Sequence, residues 1–174
     1  MDCNAEINAY KVFEKTCDFD SLVDLIVEQS ELYMEQKGIP FQTDAQEICA
    51  FLGMNLVMGY HVVPSLKDYW STEPDLQVPF IANVMPRKRF EMIRGALHFS
   101  NNEEMLPRTD PDFDRAFKVR PLLTHFNRCF QKARNSSILQ SVDEHMIKFK
   151  GHNVMKQYIK NKPIKVGFQD VVQM

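Results

Sequence analysis

A carboxylate pair and a run of lysines are the residues of this chain whose types could do chemistry. Asp143 and Glu144 precede His145, and then come Lys148, Lys150, Lys156, Lys160, Lys162 and Lys165, with Phe149 and Tyr158 interleaved. A carboxylate such as Asp143 near the end of a strand can face a cleft and hold a hard divalent cation through oxygen, as Mg²⁺ requires. Two-metal phosphoryl transfer needs several converging acids that keep the ions about 3.5–4 Å apart. Glu144 fits that role poorly, because adjacent residues on a strand point to opposite faces. Beyond it the only other acid is Asp170. The residues therefore supply the opening of a metal site. The lysines suit a phosphate-tracking surface whose affinity falls steeply with salt; alternate lysines on a strand equally protect a sheet edge from aggregation. His145, two residues after Asp143, could share its strand face, while ordinary surface or core roles are the plainer reading for it and for His61, His98, His125 and His152.

The elements that must position these residues follow from periodicity. Ser137 to Val142 alternates small or polar residues with Ile138, Leu139 and Val142, then Met146, Ile147 and Phe149 follow, and Gly151-His152-Asn153 marks a turn before Val154, Tyr158 and Ile159. This predicts a hairpin or meander with Asp143 near the end of its first strand. Ahead of it the spacing is helical. Asp18 to Lys37 carries Leu22, Leu25, Ile26, Leu32 and Tyr33 on one stripe and stops at Gly38 and Pro40. Thr43-Asp44-Ala45-Gln46 has the form of a capping box before a helix that buries Ile48, Phe51, Leu52 and Leu56. Trp70 lies in a short helical turn after Pro64 and reads as a packing anchor. Pro86 suits a first helical position, with Phe90, Ile93 and Leu97 inward and Arg87, Lys88 and Arg94 on an exposed face open to phosphate or to solvent. Residues 100 to 114 form an irregular acidic connection. Phe117 to Arg134 returns to helical spacing with Val119, Leu122, Leu123, Phe126 and Phe130, and its last turn holds Arg128, Lys132 and Arg134, which suit a helix C-terminus. The fold class is thus mainly α with a short β segment at the C-terminus: a tail at 1–17, a helical region at 18–135 and strands at 136–174.

Composition narrows the function. The 174 residues are 44% apolar, enough for one sizeable core. The net charge of −2 conceals an asymmetry: residues 1–85 carry 4 basic against 14 acidic residues, and residues 86–174 carry 17 against 9. Such a division points to nucleic-acid contact or to mutual neutralisation of the halves. Cys3, Cys17, Cys49 and Cys129 are widely separated and form no CxxC pair, which reads as reduced thiols rather than a disulfide framework or metal site. No apolar run of membrane-spanning length or secretory signal is present. Neither are the P-loop, dinucleotide, G-x-S-x-G and H-E-x-x-H motifs, so no small-molecule substrate is expected.

Four ordered segments carry a family resemblance. Ser141-Val142-Asp143-Glu144-His145-Met146-Ile147-Lys148-Phe149-Lys150-Gly151, continued by Lys156-Gln157-Tyr158-Ile159 and Asn161-Lys162-Pro163-Ile164-Lys165-Val166-Gly167-Phe168, resembles the first catalytic strand region of piggyBac-type DDD transposases. Leu66-Lys67-Asp68-Tyr69-Trp70-Ser71 is similar to their tryptophan motif. The run from Met85 to Phe99 resembles their arginine-phenylalanine helix, and Lys118-Val119-Arg120-Pro121-Leu122-Leu123 the approach to the catalytic strand. The resemblance implies that Asp143 is the first of three catalytic aspartates on an RNase H-like (DDE) core, with the later two beyond Met174 and Mg²⁺ as the metal of intact relatives. Val166 stands where the family usually has an aromatic residue, and the family's cysteine-rich zinc domain is not in this sequence. The expectation is a truncated, domesticated transposon product, from a splice terminus or a shortened gene. It would be nuclear, would bind no cofactor alone, would hold metal at Asp143 only if the site were completed, and would lack strand cleavage while contacting DNA. The alternatives are a non-catalytic module that pairs with a full-length relative or with itself, and a poorly folded product without a settled function.

Overall fold

In the computed structural model, Asn8 accepts the amide hydrogen of Tyr10 at 2.9 Å and so caps a helix ahead of the first one anticipated, α1, Ala9–Cys17. The residues described are 8–133, 142–153 and 155–173, with the backbone alone at 142–145 and 169–173. Two compact units are present, Met1–Arg134 and Asn135–Met174. Asp18 follows α1 with a left-handed backbone, φ 46° and ψ 55°, a conformation in which aspartate is enriched among non-glycine residues. This turn leads directly into α2, Phe19–Gln36, which buries Leu22, Val23, Ile26, Ser30 and Met34. Gly38, φ 68°, then supplies the left-handed residue beyond the helix end.

The next helix, α3, Ala45–Tyr60, is capped one residue later than the spacing suggested. Asp44 accepts the amide hydrogen of Glu47 at 2.8 Å, and the Thr43 hydroxyl donates to the Glu47 carboxylate at 2.7 Å. Ile48, Phe51 and Met54 are buried, but Leu56 is 71% exposed. At about 100° per residue Leu56 lies roughly 80° around the helix from Ile48, on the side away from Met54. A 3₁₀ turn, Leu66–Trp70, and a short helix α4, Pro79–Ala82, lead to α5, Arg87–Ala96. Pro86 is the N-cap of α5 rather than its first residue.

The core of this unit gathers around α5. Phe90 and Ile93 are 1% exposed; the Phe90 ring lies 4.8 Å from that of Phe51 and 5.2 Å from that of Trp70. The Trp70 indole N–H donates to the Met85 carbonyl at 2.7 Å, so the indole packs its body and satisfies its polar edge together. On the flank of α5, Arg89 forks onto Glu47: its Nε donates to Oε1 at 2.5 Å while Nη2 bonds the other carboxylate oxygen and the Gln42 carbonyl.

Past the irregular connection, in which Asn102–Glu104 forms a 3₁₀ turn, Asp114 takes a two-pronged bond from Arg120 at 2.7 and 2.8 Å. A 3₁₀ turn, Phe117–Val119, then enters α6, Arg120–Ala133. The buried face of α6 differs from the anticipated stripe. His125 and Cys129 are buried, whereas Val119, Leu123 and Phe130 are exposed, because α6 packs on α1 and turns His125 and Cys129 towards the carbonyl of Cys17.

The second unit is a three-stranded antiparallel sheet of order β1-β3-β2: β1 Val142–Lys148, β2 Gln157–Tyr158 and β3 Val166–Gln173. β1 pairs with β3 from Val142 opposite Gln173 to Lys148 opposite Gly167, and Gln157 meets the same glycine from the other side. A Cβ on Gly167 would lie 1.9 Å from the Ile147 carbonyl oxygen. Only a residue without a side chain fits between these strands. Among the described residues, no helix is long and apolar enough to cross a membrane.

Two expectations follow. Arg89 is the main cause holding the Glu47 carboxyl below its ordinary value of 4.5, with Thr43 adding to the effect. A carboxyl depressed in the folded state contributes stability above its unfolded pKa and loses it as pH falls through the folded value. Arg89→Met should therefore destabilise the helical unit by about 1.5–3 kcal/mol at neutral pH, and Glu47→Gln should flatten the loss of stability below pH 4.5; urea melts at pH 7 and at acid pH measure both. Gly167→Ala should abolish amide hydrogen-exchange protection across β1 and β3 while the helices keep theirs, and protection of β1 equal to wild type would refute the tight contact.

Candidate nucleic-acid interface

The strand ends of the second unit bring four of the six anticipated lysines together. Lys148 ends β1, Lys150 follows it, Lys156 precedes β2 and Lys165 precedes β3. These four, with Phe149, Pro163, Ile164 and Val166, line a cleft of about 500 Å³. Backbone bonds hold its rim. The Ile159 amide donates to the Lys165 carbonyl at 2.9 Å and the Phe149 amide to the Val166 carbonyl at 3.4 Å. The Lys156 ammonium donates to the Gly151 carbonyl at 2.9 Å, and the Phe149 ring rests on Phe168 with centroids 4.7 Å apart. Four lysines and four apolar residues thus line one cleft, and an anion with several oxygens, such as a phosphodiester, accepts hydrogen bonds from such ammonium groups.

The other anticipated residues lie elsewhere. Lys160 and Lys162 sit in the turn between β2 and β3, outside the cleft lining. Arg87, Lys88 and Arg94 are exposed on α5 in the helical unit, where Arg87 makes an i,i+4 contact with Glu91 at 3.7 Å. Between Lys88 and Arg94 is Arg89, which the fold spends on Glu47. That pair lines a larger hollow of about 710 Å³ with Gln42, Asp44 and Pro86, and its guanidinium is already committed.

Asp143 is the second residue of β1, not the end of a strand. The anticipated strand before it falls largely in 134–141, outside the described residues. In the register Asp143 stands opposite Val172 and His145 opposite Asp170. Asp143 and Lys148 are five residues apart on one strand, about 17 Å at 3.3–3.4 Å per residue, so the lysine cleft belongs to the far end of the sheet. The unit holds three acids, Asp143, Glu144 and Asp170, and Asp170 is displaced by two positions from Asp143's partner.

A different constellation escaped the sequence reading. Asp18, His125 and Cys129 each offer a ligand-type atom, and these atoms all lie within 4.8 Å of one another. The signal that could have found it is the spacing His125-x₃-Cys129, which places both side chains on one face of a helix; nothing local marks Asp18 as their partner.

Comparison with known proteins agrees with the fold and the family resemblance. The family model described as Transposase IS4 matches residues 8–174. The chain is 32% identical over 164 residues to PiggyBac transposable element-derived protein 2 of Homo sapiens, which covers 94% of this chain and 27% of that protein. It is 33% identical over 151 residues to PiggyBac transposable element-derived protein 3 of Homo sapiens, with 86% and 24% covered. It thus spans about a quarter of the length of these curated relatives. The cryo-EM structure of the piggyBac transposase synaptic complex with hairpin DNA aligns with a TM-score of 0.77 at 20% identity, over 98% of this chain and 36% of that one. With a matched family model, relatives along most of its length and a shared mainly helical fold that ends in a short antiparallel sheet, this chain belongs to the piggyBac-type members of the Transposase IS4 family.

Proposed function

We propose that this chain is a transposase-derived, DNA-contacting segment that holds phosphates in the cleft of Lys148, Lys150, Lys156 and Lys165 and does not itself cleave or join strands. The observation that carries this reading is the convergence of four lysines from three strand ends on one cleft. The structural neighbour is a transposase complexed with hairpin DNA, which supports the same chemistry here. Contact of this kind is independent of base sequence and follows counterion release. Lys160 and Lys162 in the adjoining turn extend the basic surface available to a duplex, and Arg87, Lys88 and Arg94 on α5 offer a second one. Asp143 is the vestige of the family's first metal-binding carboxylate on an RNase H-like core, and the Mg²⁺ of intact relatives would be held only if further acids completed the site. A chain that works on chromosomal DNA would reside in the nucleus.

A second reading rests on the sheet order. β3 is central and β1 is an outer strand, and an outer strand presents backbone groups that a neighbouring chain can pair with. A full-length relative or a second copy of this chain would be the partner.

Gel-shift titrations against duplex DNA test the first reading. Binding should weaken steeply between about 50 and 200 mM salt and need no Mg²⁺. Changing Lys148, Lys150, Lys156 and Lys165 to Gln should reduce the log–log salt slope by about 0.9 for each phosphate no longer neutralised, while Asp143→Asn should change nothing. No binding even at low salt would exclude the DNA reading, and Mg²⁺-dependent nicking abolished by Asp143→Asn would exclude the non-catalytic one.

A further inference from the structure

We propose that Asp18, His125 and Cys129 form a zinc site that fastens the α1–α2 junction to α6. The donor set is the first argument. One carboxylate oxygen, one imidazole nitrogen and one sulfur within 4.8 Å of each other suit a borderline-soft ion that takes four ligands in a tetrahedron, and do not suit Mg²⁺ or Ca²⁺, which take oxygen. The second argument is the separation of the two buried donors. His125 Nε2 and Cys129 Sγ are 3.6 Å apart. A tetrahedral ion with Zn–N near 2.05 Å and Zn–S near 2.3 Å requires an N···S edge of about 3.6 Å. The helix therefore already holds them at the separation the ion demands.

The surroundings are those of a supported ligand set. His125 and Cys129 are buried, at 8% and 4% exposure. The Asp18 carboxylate is oriented by the Ser21 hydroxyl, which donates to Oδ1 at 2.9 Å, leaving Oδ2 towards α6. In the metal-free arrangement Nε2 and Sγ both direct a hydrogen at the same acceptor, the Cys17 carbonyl, at 2.7 and 3.4 Å. Zinc would take the place of those two hydrogens. The Cys129 proton leaves to solvent, and the imidazole proton passes to Nδ1. Arg128 Nη2, now 3.2 Å from Asp18 Oδ2 and 3.5 Å from His125 Nδ1, is the competing cation. Its side chain is 54% exposed, so it can swing into water when the ion arrives. The fourth position falls to the Cys17 carbonyl oxygen, which already lies beside both buried donors, or to water.

Asp18 precedes His125 and Cys129 by more than a hundred residues in sequence, so the ion would tie the start of the helical unit to α6. Anything that binds only the folded state stabilises it in proportion to the logarithm of ligand concentration over Kd.

The full chain, stripped of metal with a chelator, should be titrated with Zn²⁺ against a chromogenic chelator and separately with Co²⁺. One ion per chain is expected, with the absorption of tetrahedral cobalt and a sulfur-to-cobalt charge-transfer band. Cys129→Ser and His125→Gln should lose the band, and Cys49→Ser, away from the cluster, should keep it. Asp18→Asn, at an exposed position that leaves the core intact, should weaken Zn²⁺ by at least the about 10–100-fold that loss of a supporting hydrogen bond costs such sites. Arg128→Gln should tighten it. Sub-stoichiometric zinc, cobalt in an octahedral spectrum without the sulfur band, or affinity unchanged in Asp18→Asn would overturn the proposal, even where a core variant fails to fold.

Discussion

Burial of the Phe90 face of α5 is the constraint on which the helical unit depends. Phe90 touches Phe51 of α3 and Trp70 of the preceding 3₁₀ turn, and Ile93 and Ala96 continue the same face into the core beside α2. A fully buried side chain of this size is worth about 1.5–3 kcal/mol, and it also sets the rotation of α5. With Phe90, Ile93 and Ala96 together forming the buried face, Arg89 is half-buried where it meets Glu47, and Arg87, Lys88 and Arg94 are exposed. The Trp70 bond to the Met85 carbonyl ties the start of α5 to the same centre.

In the strand unit a steric requirement plays the equivalent part. Gly167 lies opposite Lys148 on one side and Gln157 on the other, and the closeness of the Ile147 carbonyl leaves no room for a Cβ. That approach draws the ends of β1 and β3 together and with them Lys148 and Lys165. The turn between β2 and β3 then adds Pro163 and Ile164 as an apolar floor. Backbone pairing of the strand ends thus places Lys148, Lys150, Lys156 and Lys165 along one cleft. A partner rich in anionic oxygen is the physical complement of such an arrangement.

The constellation at Asp18, His125 and Cys129 arises from a third device, a non-glycine residue in the left-handed region. The turn at Asp18 sends α2 away from α1 and leaves the Cys17 carbonyl facing α6, where an imidazole and a thiol one helical turn apart can reach it. Widely spaced cysteines and scattered histidines give no local hint of this, since the distance that matters is crossed by the chain's return.

Periodicity alone determined α2, α3, α5 and α6, the inward turn of Phe90 and Ile93, and the change from helical to strand spacing after α6. These features are local, because the period of a segment's apolar side chains is set by its own residues. The ordered motifs around Trp70, Phe90 and Asp143 likewise sufficed to identify the family. Tertiary structure decided the rest. It turned α6 to bury His125 and Cys129 while leaving Leu123 and Phe130 exposed, because hydrogen bonds to a distant carbonyl are satisfied that way. It spent Arg89 on Glu47 while its neighbours stayed outside. It gathered four of six similar lysines into one cleft, and it set Asp143 at the opposite end of β1 from them. Each of these depends on which residues meet across the fold, and a sequence pattern carries the period of a segment but not the identity of its partner.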